Sequence, residues 1–384
     1  MTNVWDPLAG SRSAAALAAQ IAADQVAHAW LLLGPSGSGK GAAARAMASA
    51  INCSVQPLVG CGSCSVCARI SRDSHPDVHR IAPEGPLIPI DVIRESVIPE
   101  AARSPFEARW KVFVIEEADR MSPAAQSVLL KTLEEPQPDT VFILISGEED
   151  ELLDTIRSRC RVIRLEPVPE QRTVELLTSE GASDEHALLA ARLSDGDLAR
   201  ARALALDEAA AERRALWMTV VDRLFSPVEA LDAAAEILEE AKAAGKRLET
   251  LQKEEVVELA EATGEARGTA AARNALAKRH KREVRRLEEE VLGDALQALA
   301  SFYRDVLAFR RGGAEAIVNI DLLEKIETWA ASAISDGGLV SAVERCIETR
   351  GALPLNANQS LALEATLVEL ARLVPAPAAD PAVW

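Results

Sequence analysis

Apolar residues along this chain change their period several times, and each change marks an element. From Ser11 to Ala27 they recur at helical spacing, through Leu17, Ile21, Ala22 and Val26. The period then breaks into a continuous apolar run, Leu31-Leu32-Leu33, which predicts a buried strand. A glycine-rich turn follows, and Ala42 to Ala48 resumes as good helix former. Two further runs, Lys111 to Ile115 and Thr140 to Ile145, predict strands, and Ile156 to Cys160 opens a further strand from Arg161 to Leu165. Between them Ser122 reads as an N-cap, with Pro123 at the first helical position. The helix it opens, Ala124 to Glu134, carries Val128, Leu129 and Leu133 on one face and is stopped by Pro136. Buried strands alternating with helices predict a parallel, doubly wound sheet.

Pro167 and Pro169 mark a boundary. From Glu170 to about Leu206 the pattern is helical, with Gly196 between two helices. Beyond Asp207 it is almost wholly helical as far as Leu373, with a highly charged stretch from Glu239 to Glu290 and a last apolar-periodic helix from Asn358. The expected architecture is an α/β domain over residues 1–166, an all-α lid over 167–206, an all-α domain over 207–374 and a disordered tail over 375–384. No internal repeat is visible.

Composition agrees with this division. The 384 residues exceed the usual size of a single core. Aromatics at 3% and heavy use of alanine favour packed helices over a β-sandwich. A net charge of −17 argues against the whole chain acting as a general nucleic-acid surface. The one basic run, Lys278 to Arg282 with Arg285 and Arg286, lies among acids that Arg282 and Arg286 can meet at helical spacing, so a solvated helix is the reading preferred over nucleic-acid contact. Met1 to Gly10 lacks a signal pattern, and no run reaches the roughly 18 apolar residues of a membrane span. The expected location is cytoplasmic, with no membrane partner.

Four places carry chemistry. Gly34-Pro35-Ser36-Gly37-Ser38-Gly39-Lys40-Gly41 lies between a strand and a helix, where backbone amides and the helix N-terminus converge on phosphate and Lys40 reaches the outer phosphates. The position after the lysine, ordinarily Ser or Thr for Mg²⁺, is Gly41. At the end of the second strand Glu116 stands where a shorter Asp is usual for the magnesium shell, and Glu117 takes the water-polarising position. Ser146, ending the third strand, is a hydroxyl near the expected γ-phosphate. These residues point to binding of ATP or ADP with weak or absent hydrolysis. Cys53, Cys61, Cys64 and Cys67, with seven residues between the first two and two between each later pair, suit one tetrahedral zinc; four thiolates leave no open position for water, so the zinc is read as structural. His28, His75 and His79 read as surface or packing residues.

The phosphate loop, the cysteine cluster over 53–67, Leu129-Leu130-Lys131-Thr132-Leu133-Glu134-Glu135-Pro136 and Ser158-Arg159-Cys160 stand in one order that resembles the bacterial clamp-loader subunits of the AAA+ class. The resemblance covers about the first 205 residues, and His28-Ala29-Trp30 fits it. The helical C-terminal part resembles the clamp-loader collar more loosely. It implies a hetero-pentamer with gamma/tau motor subunits and a delta subunit, loading a sliding clamp onto primed DNA. It further implies that Arg159 reaches across an interface to a neighbour's ATP as an arginine finger. Gly41 and Glu116 place the chain with the stator branch, whose own site is degenerate, and the alternative is an ATP-hydrolysing gamma/tau-type motor. In the lid stretch Gly196-Asp197-Leu198-Ala199-Arg200, alanine holds the position where an arginine would meet nucleotide, leaving Arg200 a weak candidate.

Overall fold

The computed structural model describes residues 3–35, 37–83, 87–147, 149–263, 269–355 and 358–373. The tail expected to be disordered lies outside them. The chain divides into two compact units, 1–207 and 208–384, so the stretch read as a lid sits in the same unit as the α/β domain.

In the first unit five parallel strands form one sheet: β1 (Ala29–Leu33), β2 (Val78–Ile81), β3 (Lys111–Ile115), β4 (Thr140–Ser146) and β5 (Arg161–Arg164), in the order β2-β3-β4-β1-β5. β1, β3 and β4 are buried along their whole length, which explains why they read as continuous apolar runs: a sheet covered on both faces has no polar side to alternate with. Trp30, Leu32, Val112, Val114, Val141 and Ile143 face one core, closed by α1 (Arg12–Ala22) and the alanine-rich α2 (Lys40–Asn52). Leu31, Leu33, Phe113, Ile115, Phe142 and Leu144 face the other, closed by Leu129 and Leu133 of a helix labelled here α4 (Pro123–Glu134). The short helix α3 (Ser65–Ser71) carries Cys67 and is capped by Cys64.

β2 was not foreseen. Val78, His79 and Arg80 are only partly buried and Ile81 alone is buried, and an edge strand that carries His79 and Arg80 gives no apolar run. A helical stretch over 90–101, partly of π type, was also missed.

Three helices, Glu170–Ser179, Asp184–Ser194 and Leu198–Leu206, close on a small core of Leu177, Ala182, Ala187, Ala190 and Ala201. The second unit is helical, built on Glu208–Arg223, Pro227–Thr263, Thr269–Arg310, Leu323–Ala330, Asp336–Ala352 and Gln359–Leu373. Phe302, Tyr303 and Trp329 meet at its centre. Within the basic run Arg285 pairs with Glu289 at 2.9 Å and Arg286 with Glu290 at 3.1 Å, as a solvated helix face requires; the side chain of Arg282 lies outside the description. Among the described residues no helix is long and apolar enough to cross a membrane.

Candidate functional site

The phosphate loop leaves the carboxyl end of β1 and enters α2 through Gly39, whose left-handed backbone (φ +83°) an L side chain resists. No side chain caps α2, so its first amides are available to an anion. Ser38 is 5% exposed and its hydroxyl has no partner in the described structure, an orphaned polar group inside the loop. Lys40 folds back onto the loop, donating to the carbonyls of Gly34 at 2.6 Å and Pro35 at 2.7 Å. Burial pulls its pKa below the ordinary lysine value, with the charge of Asp119 opposing. Ser36 lies outside the described residues, and Gly41 adds no polar side-chain atom.

The acids take unexpected stations. Glu116 is 8% exposed and both its oxygens accept from Arg80 of β2: Nε to Oε1 and Nη2 to Oε2, each 2.8 Å. Arg80 reaches Asp73 as well, Nη1 to Oδ2 at 2.8 Å. Burial alone would weaken the guanidinium's charge, and the two carboxylates more than offset it, holding its pKa above the ordinary value. Glu117, left-handed at φ +48°, pairs with Arg120 at 2.6 Å. The acid whose charge Lys40 feels is Asp119, which also accepts from the Gly147 amide at 3.3 Å. Sequence reading gave Asp119, the last acid of the stretch Glu116-Glu117-Ala118-Asp119, no role of its own, and it missed Arg80, which falls on no motif position. Ser146 is fully buried opposite Leu33 of β1.

From the three-helix region Asp197 meets the loop. It caps its own helix by accepting from the Arg200 amide at 3.1 Å, and a Cβ built on Gly37 (φ +80°) would lie 2.5 Å from the Asp197 Cβ and 2.7 Å from its Oδ2. A carboxylate therefore lies against the phosphate loop, beside the exposed Ala199.

Arg159 follows the short helix Asp154–Arg157. It donates to the Thr155 carbonyl at 2.9 Å and forms an ion pair with Glu134 at the end of α4, with about a third of its side chain exposed. The buried Gln126 of α4 braces the segment before it, donating to the carbonyls of Met121 and Glu151 and accepting from the Leu153 amide.

Cys53, Cys61, Cys64 and Cys67 bring their sulfurs within 4.8 Å of one another. Cys53 Sγ lies 3.6 Å from that of Cys61 and 3.9 Å from that of Cys64. Thiolates around a tetrahedral zinc at about 2.3 Å stand about 3.8 Å apart, so the set fits that ion. Amides of Gln56, Cys61, Cys64 and Cys67 donate to the sulfurs at 3.2–3.4 Å, which stabilises negative charge there.

The model of the family described as DNA polymerase III, delta subunit, matches residues 11–169. DNA polymerase III subunit delta' of Bacillus subtilis is 34% identical over 192 residues, covering 50% of this chain and 58% of its own length. That of Escherichia coli is 38% identical over 183 residues, 46% of this chain and 54% of its own. The tau subunit of Bacillus subtilis is 36% identical over 150 residues, 38% of this chain and 26% of its own. The chain spans about half the length of the delta' relatives it matches. Among solved structures, a DNA polymerase III gamma subunit-related protein from Thermotoga maritima aligns over 94% of this chain and 99% of its own, at 18% identity and a TM-score of 0.47.

Proposed function

We propose, from the premise that this chain belongs over residues 11–169 to the clamp-loader family of DNA polymerase III, that it is a delta'-type stator of the loader. It assembles with gamma/tau motor subunits and a delta subunit in a hetero-pentamer that places the sliding clamp on primed DNA. The carrying observation is the pairing of a serviceable phosphate loop with acids committed elsewhere. The orphaned Ser38 hydroxyl and the uncapped start of α2 suit a phosphate, whereas Glu116 and Glu117 are both held by arginines.

The same reading gives Arg159 its role. A guanidinium placed beside a neighbour's transferring phosphoryl group stabilises the charge that develops there. Glu134 and the Thr155 carbonyl hold Arg159 at the surface, and Gln126 stiffens the segment it stands on. The four cysteines hold a structural zinc that staples the loop between α2 and α3.

In the complex reconstituted with motor and delta subunits, Arg159→Ala is expected to assemble normally and lower ATP turnover by on the order of 10³. Unchanged turnover removes the assignment. Rapid ATP hydrolysis by the purified chain alone favours a gamma/tau-type motor instead.

A further inference from the structure

The magnesium shell expected of a phosphate loop does not fit the residues present. Mg²⁺ demands near-octahedral oxygen ligands at about 2.0–2.1 Å. Gly41 supplies no hydroxyl, and both oxygens of Glu116 are engaged by one guanidinium at 2.8 Å. The direction of that engagement matters as much as its strength. In the sheet order β2 lies on the far side of β3 from β4 and β1, so a Glu116 paired to a β2 residue is drawn towards the sheet edge and away from the phosphate loop.

We infer that Arg80 is the standing counter-charge of Glu116, so that this chain binds nucleotide without recruiting a divalent cation. The inference rests on the nucleotide-site reading above and deepens it. The pair is bidentate, the strongest arrangement a carboxylate and a guanidinium adopt. Their side chains are 11% and 26% exposed, and Asp73, at 21%, holds the other end of Arg80. A cation that took Glu116 would leave the guanidinium with only Asp73 and part a half-buried ion pair, which is costly. Two changes to the ordinary pattern therefore act together. The hydroxyl is deleted at Gly41, and the acid is kept at Glu116 but neutralised from the neighbouring strand.

The test is ATP affinity of the purified full-length chain, measured by calorimetry in excess Mg²⁺ and again in a metal chelator. The expected affinities agree within about twofold. Gly41→Ser is expected to behave likewise, because Glu116 stays captured. Gly41→Ser combined with Arg80→Leu frees the acid beside a restored hydroxyl, and Mg²⁺ should then tighten ATP by roughly tenfold or more. A Mg²⁺-dependent native chain, a Mg²⁺-dependent Gly41→Ser variant, or a folded double variant that gains nothing each overturns the inference.

If the native chain bound ATP in neither buffer, the proposed nucleotide site would fail, and thermal unfolding decides the pairing separately. Arg80→Leu and Glu116→Leu should each lower the midpoint by about 4 °C or more, and the double replacement by clearly less than their sum. Additive losses would mean that the guanidinium does not hold the carboxylate, and would overturn it.

Discussion

Asp197 illustrates how one side chain can alter a site without belonging to its motif. Its carboxylate lies against Gly37, where a triphosphate would bring negative charge. Asp197→Asn keeps the cap on the following helix and removes the charge. ATP affinity is expected to rise roughly fivefold, about 1 kcal/mol, in a direct titration; an unchanged affinity would show that the Asp197 carboxylate does not face the phosphates. The cysteine set is decided at the same scale. Metal analysis should give about one zinc per chain, and Cys64→Ser should release it and destabilise the loop, since the binding energy of a structural zinc is folding energy. A native chain that folds free of metal would refute the site. The cysteine set was legible because ligand spacing is local. The partners of Glu116 and Lys40 were not, because Arg80 lies 36 residues from Glu116 and is brought there by strand pairing.

At the scale of elements, edge strand β2 carries more than its length suggests. His79 stacks on Phe113 with ring centroids 4.9 Å apart, and burial lowers its pKa, with Glu100 and Asp77 opposing and Lys111 and His75 assisting. His75 is buried with its pKa lowered in the same way. An imidazole that resists protonation in the folded state but accepts a proton when unfolded stabilises the fold fully above the ordinary value of 6.5; that contribution is lost as pH falls towards the lowered folded value. Asp77 and Glu100 are held below their ordinary values of 3.8 and 4.5, so their contributions persist to lower pH. The unfolding midpoint of the α/β unit is therefore expected to fall as pH drops below about 6.5, and less steeply in His79→Phe; identical slopes would exclude His79 as a source. The buried strands announced themselves as apolar runs and α4 by its cap, its proline and its periodicity. β2 did not, because an edge strand is covered on fewer sides and its polar residues look like loop.

Across the whole molecule, the two compact units keep separate polar anchors. In the second unit Asp305 is fully buried and accepts from the amides of Val318 and Asn319 and from the Asn319 side chain, at 3.1, 2.8 and 2.7 Å, with Arg304 at 2.8 Å. This ties the long helix Thr269–Arg310 to the turn before Leu323–Ala330. Asp305→Ala leaves those donors unpaired and should cost about 3 kcal/mol, read as early unfolding of helical signal while the α/β unit keeps its own transition; a loss under about 0.5 kcal/mol would show that the network is dispensable. The chain's helical C-terminal half was legible as helix from periodicity alone, but which of its polar residues pack inside was not.

What the sequence determined by itself is whatever depends on neighbours along the chain: the period of each buried run, the glycines of the phosphate loop, the helix caps and the cysteine spacing. Tertiary structure alone decided which charges meet, because a carboxylate's partner is set by strand order and register. Glu116 turning to Arg80, the charge of Asp119 acting on Lys40, Asp197 resting on Gly37 and Arg159 held by Glu134 are relations across 25 to 160 residues of chain. Electrostatic energy follows distance in space, and no local pattern records it.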